Sequence, residues 1–96
     1  MAGAKHILTN YDRREALSLS QAAFLANRTV ETVRGWAANR DIGRKVAGRW
    51  AVSHPCLLML LESDQAALEA YWAGDRQSEI VTKYFQRAGV PVKGAA

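Results

Sequence analysis

The sequence predicts a small, mainly α-helical fold interrupted by one two-stranded β-hairpin, and three observations carry that prediction. Segments at residues 20–26 and 30–39 each follow a serine or threonine cap and show helical spacing of apolar residues. Around Ala47-Gly48 the pattern changes to two short β-compatible pieces. Beyond Ser53, leucine-rich and aromatic stretches return to a helical period.

Taken in order, the first helix opens at Ser20 as N-cap, and Gln21 to Ala26 follow with high helix propensity. Ala22, Ala23, Leu25 and Ala26 are expected to line its inner face. Asn27 accepts the left-handed conformation and so ends the helix in a tight turn. Thr29 caps a second helix over residues 30–39, with Val30, Val33, Trp36 and Ala37 as its apolar stripe. Glu31, Arg34, Gly35 and Ala38 form the opposite face. Two short helices joined by about three residues have helix-turn-helix geometry.

Arg44-Lys45-Val46 and Arg49-Trp50-Ala51-Val52 flank Ala47-Gly48 as a hairpin, which is stable only when packed on helices. Ser53 caps a third helix that has Pro55 in its first turn, where the missing N–H costs little. Leu57, Leu58, Leu60 and Leu61 bury it. The helix either continues through Ala66, Leu68 and Trp72 to Gly74 or breaks near Ser63-Asp64. A last helix over about residues 76–88 groups Ile80, Val81, Tyr84 and Phe85, and Gly89 and Pro91 end it. No internal repeat is visible.

Composition narrows the function. A chain of 96 residues, 49% hydrophobic and 23% charged, suits one globular domain rather than a disordered chain. No run approaches the ~18 apolar residues of a membrane span, and residues 1–10 lack a signal peptide's apolar stretch. Cys56 stands alone, so no internal disulfide forms, and the expectation is a reduced, cytoplasmic protein. The net charge of +4 is unevenly spread. Residues 1–56 hold nine bases against four acids, and residues 57–96 four against five. A basic surface binds polyanions by releasing counterions, which makes nucleic acid the leading partner class. Arginines that merely solubilise the chain are the competing explanation.

The string Leu19-Ser20-Gln21-Ala22-Ala23-Phe24-Leu25-Ala26-Asn27, then Thr29-Val30-Glu31-Thr32-Val33-Arg34-Gly35-Trp36, is followed by Ile42, Arg44-Lys45-Val46 and Gly48-Arg49-Trp50. In order and spacing it resembles the excisionase and MerR-type winged helix-turn-helix family, over roughly residues 17–61. Asn27 replaces the family's usual glycine, and Gly35 stands where a basic or polar residue is common. The resemblance implies a winged helix-turn-helix DNA-binding domain at 17–62, preceded by an arm at 1–16. A C-terminal helical extension at 63–96 would follow as an interaction element.

In such a domain the second helix enters the major groove. The resemblance then gives Thr29, Glu31, Thr32, Arg34 and Gly35 as the base-contacting set. Arg34 pairs with guanine through its planar fork, Glu31 accepts from a cytosine amino group, and Thr32 meets a phosphate or a thymine methyl. Gly35 lets the helix backbone approach closely. Arg28, Arg40, Arg44 and Lys45 contact phosphates, and Arg49 at the hairpin enters a minor groove. Solvated surface is the alternative for each of these. Trp36 and Trp50 are expected in packing roles, His54 in a helix cap, and His6 in a mobile arm. No residue spacing sets a nucleophile beside a base, and neither a phosphate-binding glycine loop nor a metal-ligand cluster is present, so no enzyme and no cofactor are expected.

The resemblance further implies a recombination directionality factor that binds and bends attachment-site double-stranded DNA and directs an integrase toward excision. A small transcriptional regulator and a phage terminase small subunit are the other roles it admits. Leu68, Tyr71, Trp72, Ile80, Val81, Tyr84 and Phe85 suggest self-association or an integrase contact through residues 63–92. Alternatively, they complete the chain's own core.

Overall fold

Serine and threonine caps start most of the helices, and the chain alternates them with very short strands. The computed structural model describes residues 5–8 and 11–91. The elements are β1 (Ala16–Leu17), α1 (Leu19–Ala26), α2 (Val30–Asn39), β2 (Gly43–Val46), β3 (Arg49–Ser53), α3 (His54–Leu61), α4 (Gln65–Trp72) and α5 (Glu79–Ala88). The architecture is mainly helical with a three-stranded antiparallel sheet of order β1-β3-β2. α3 touches α1, β3, α4 and α5, and one hydrophobic cluster runs from Ile7 to Val90.

α1 starts two residues earlier than the sequence suggested. Ser18, not Ser20, is its cap: the Gln21 N–H donates to the Ser18 hydroxyl, and the Ser18 N–H donates to the Gln21 side chain. This reciprocal box satisfies two free N-terminal donors at once. The inner face is Ala22, Ala23 and Ala26, whose small side chains let α1 lie close to α2. Leu25, expected inside, is 50% exposed, and Phe24 is 85% exposed.

Asn27 is left-handed, with φ of 56°, and Thr29 accepts from the Thr32 N–H to cap α2. Both behave as expected from their side chains. The hairpin turns through Ala47 and Gly48, both at positive φ, a geometry that suits the right-handed twist of paired strands. It is not two-stranded, however. β1 adds a third strand, pairing Ala16 with Ser53 and Leu17 with Val52. Two residues are too few to show a period of two in sequence. Gly43 is required for close approach, since a Cβ there would run into the Ala51 carbonyl.

The helical path after Ser53 breaks rather than continues. Ser63 takes a left-handed turn, and the Asp64 carboxylate receives the Ala67 N–H to begin α4. α5 begins at Glu79, not near Arg76, because the Asp75 carboxylate takes the N–H groups of Gln77 and Ser78 and the Ser78 hydroxyl. Those local bonds hold the chain in a turn.

Residues 1–16, expected as an arm, contribute to the common core where they are described. Ile7 and Leu8 are buried. Leu8 has φ of 54°, and its N–H donates to the Tyr71 hydroxyl at 2.9 Å. The Arg44 guanidinium donates to the carbonyls of Ile7 and Leu8 at 2.8 and 2.9 Å. The His6 N–H bonds the Trp72 carbonyl, so His6 is tied to the end of α4. Glu15 is buried too. Its carboxylate accepts from the Ser53 hydroxyl at 2.6 Å and from the Tyr71 hydroxyl. This joins the segment before β1 to β3 and α4 through one polar node, whose buried groups are satisfied.

Of the seven large residues read as a possible association surface, Leu68, Tyr71, Val81, Tyr84 and Phe85 are buried in the chain itself. Trp72 and Ile80 are half-buried against the same cluster. The aromatic excess of residues 63–92 therefore completes the core.

Candidate nucleic-acid interface

α2 has an apolar inner face and a polar outer one. Its inner face is Val33 and Ala37, with Val30 and Trp36 half-buried beside them. Glu31, Thr32, Ala38 and Asn39 point outward and are exposed. Gly35 lies between them by helical spacing, and a Cβ built on it meets nothing within 4 Å. Glycine in a helix interior costs up to about 1 kcal/mol relative to alanine. Neither a positive φ nor a neighbouring group inside the chain accounts for it here. The outward face of α2 is consequently small, polar and open to close approach.

The sequence-derived site residues divide on inspection. Thr29 is occupied as the cap, and its hydroxyl also donates to that of Thr32 at 2.9 Å. Arg34 and Glu31 form an exposed ion pair one helical turn apart, so each neutralises the other in the free chain. An exposed pair of this kind contributes little to stability and exchanges readily for another partner. Arg28 turns back onto the end of α1, donating to the carbonyls of Ala26 and Asn27, and lies 5.9 Å from the Trp36 ring. Arg40, at the C-cap of α2, shares a concavity of about 200 Å³ with Arg28, Trp36, Leu60, Leu61 and Ser63.

The hairpin contributes two further exposed cations. Lys45 sits 5.6 Å from the Trp50 ring, and Arg49 faces Val46 across the tip. Arg44, expected beside Lys45 as a phosphate contact, instead points inward to the Ile7 and Leu8 carbonyls. Neighbouring strand residues alternate sides, so Arg44 and Lys45 cannot serve the same face. Trp36 and Trp50 are half-buried against the core, consistent with packing. Asn39 was missed as a candidate, although its i+4 and i+8 relation to Gly35 and Glu31 puts it on their face.

Several titratable groups lie away from α2 and the hairpin. Burial lifts the Cys56 thiol well above its ordinary value and keeps it protonated, and burial likewise raises the Tyr71 hydroxyl. Burial and the Asp64 carboxylate push the Tyr84 hydroxyl up to about 12. His54, half-buried at the start of α3 beyond the Ser53 cap, is held below its ordinary value by burial. Among the described residues no cluster of His, Cys, Asp or Glu has a metal-binding arrangement, and no helix is long and apolar enough to cross a membrane.

Comparison with protein-family models, with curated proteins and with solved structures yields no match for this chain.

Proposed function

We propose that this chain is a sequence-specific DNA-binding protein of the winged helix-turn-helix kind, with α2 as the recognition helix and the β2–β3 hairpin as the wing. The observation that carries the reading is the outward face of α2, where Gly35 lies between Glu31, Thr32, Ala38 and Asn39 with open space above its backbone. A major groove admits a helix, and small residues bring its backbone nearest the base edges. Arg34 leaves Glu31 and bonds guanine, while Glu31, Thr32 and Asn39 supply the remaining polar contacts. Arg28, Arg40 and Lys45 neutralise phosphates, and Arg49 at the wing tip reaches the adjacent minor groove. Arg44 is left out of the phosphate set because its guanidinium is engaged inside.

The biological role that best suits this reading is a recombination directionality factor, bound at an attachment site to favour excision by an integrase. The resemblance of residues 17–61 supports it, as does a basic first half with the acids concentrated later. The test is a gel-shift titration on the locus that encodes the chain, spanning its promoter and any attachment site, with Arg34→Ala alongside. Successive shifts over the attachment site are expected, and Arg34→Ala should lower discrimination against mismatched sites by about 1–3 kcal/mol. A single shift confined to a promoter would replace the recombination role with transcriptional control. No shift even at low salt would remove DNA binding altogether.

A further inference from the structure

α2 carries one acid and one base, Glu31 and Arg34, and they pair with each other on adjacent turns. Glu31 is the more open of the two, its side chain 82% exposed against 43% for Arg34. An exposed pair of this kind adds little to stability, and a carboxylate in the first turn suits the helix dipole to a similarly small degree. On a face that lies against DNA, however, a carboxylate is unfavourable, because it repels phosphates. Arg40, Lys45 and Arg49 have no carboxylate paired with them among the described residues, so Arg34 is singled out among the cations of α2 and the hairpin.

We infer that Glu31 is a specificity gate: it holds Arg34 away from phosphates and releases it only where a guanine edge and a neighbouring base amino group are offered together. The inference rests on the DNA-binding reading of α2 and deepens it. A phosphate gives Arg34 one anion in exchange for another and leaves the Glu31 carboxylate beside a like charge. A guanine O6/N7 edge instead takes both N–H groups of the Arg34 fork, and the amino group of cytosine or adenine donates to the freed carboxylate. Side chains three residues apart on a helix lie about 5–6 Å from each other, within reach of neighbouring base pairs. At such a step both members of the pair find new partners, and opening a weak exposed pair takes little energy. At other steps one charged group is left unpaired in a desolvated contact, which is expensive. Glu31 therefore selects by penalising wrong sequences rather than by strengthening the right one.

Fluorescence-anisotropy titrations of the full chain test the gate on two duplexes across a salt series. One carries the sequence that the chain enriches from a randomised pool, and the other scrambles it at the same composition. Glu31→Gln removes the charge and keeps the shape. It should bind the scrambled duplex about tenfold more tightly, with a salt slope steeper by about one phosphate contact, and should gain nothing on the enriched duplex. Glu79→Gln makes the same change in net charge on α5, which packs against α3 and α4, and should alter neither affinity by more than about twofold. In an Arg34→Ala background, Glu31→Gln should no longer steepen the slope, since there is no guanidinium to release. With the original chain still binding DNA, three results would each overturn the gate alone. These are an unchanged scrambled-duplex affinity in Glu31→Gln, an equal rise in Glu79→Gln, or a steeper slope that persists without Arg34. Failure of the original and every variant to bind either duplex at low salt would overturn the DNA-binding reading and the gate with it.

Discussion

The tail helices α4 and α5 and the β2–β3 hairpin place their charges differently. In α4 and α5 and the turn before them, charged groups answer one another within the molecule. Arg87 pairs with Glu62, Lys83 stands 4.0 Å from Asp64, and the Tyr84 hydroxyl donates to Asp64 at 2.8 Å. The carboxylates respond accordingly: the bond from Arg87 holds Glu62 below its ordinary value, and the bond from Tyr84 does the same for Asp64. Along α2 and the hairpin, Arg40, Lys45 and Arg49 are exposed, and among the described residues no carboxylate pairs with them. Apolar side chains differ too: Val81, Tyr84 and Phe85 of α5 are buried, whereas Phe24 and Leu25 of α1 lie outside. The difference sets tail helices whose charges pair within the molecule against cations at the end of α2 and on the hairpin that have no carboxylate partner among the described residues.

The strongest way to break that contrast is through stability. Tyr71→Ala removes a fully buried ring and the donor to Glu15 together, and should cost about 3–5 kcal/mol in urea unfolding. Phe24→Ala should change stability by less than about 0.5 kcal/mol, as surface substitutions do. Comparable losses from the two would erase the distinction.

Within the hairpin the neighbours Arg44 and Lys45 make a finer test. Arg44→Ala should cost roughly 1.5–3 kcal/mol of stability, because it removes charge-assisted bonds to the Ile7 and Leu8 carbonyls, and should leave the salt dependence of DNA binding unchanged. Lys45→Ala should do the opposite, lowering the salt slope by about one contact while the urea midpoint stays in place. Exchanged outcomes would put Arg44 on the phosphates and Lys45 in the structure.

Gly35→Ala should act with two signs. It should stabilise α2 by up to about 1 kcal/mol, since the space for a Cβ is open, and should weaken DNA binding by holding the helix farther from the bases. A variant both more stable and equally able to bind would show Gly35 to be neutral surface. The smallest effect concerns pH. His54 is held below its ordinary value, so the unfolded chain takes up its proton first as pH falls. Stability should therefore decline as pH drops below about 6.5, until the folded His54 also titrates. His54→Gln should flatten that part of a thermal-melt series, leaving the later losses from Glu62 and Asp64 at lower pH.

Local chemistry was legible without the fold. Asn27, Thr29, Ser53 and Gly89 announce their turns and caps because short polar side chains and glycine satisfy backbone groups within a few residues. The stripe of α2 and its open opposite face follow from spacing alone, and most of the candidate site lies on that face. Ser18 was also within reach, since Gln21 three residues on completes its box, yet Ser20 in the same stretch competed for the role.

What the sequence determined by itself was therefore the local grammar: helix α2, the Ala47-Gly48 turn, the caps, and the basic bias of the first half. Only the tertiary structure decided the rest. It brought Leu8, Glu15, Ser53 and Tyr71 into one polar node and turned Arg44 inward. It also made Ala16–Leu17 a strand, closed the tail aromatics into the core and left Phe24 outside. Each of these depends on partners more than 30 residues away or on which side of a short element meets the core. Periodicity reports that an apolar side chain wants a neighbour, and the assembled chain settles whether the neighbour is its own.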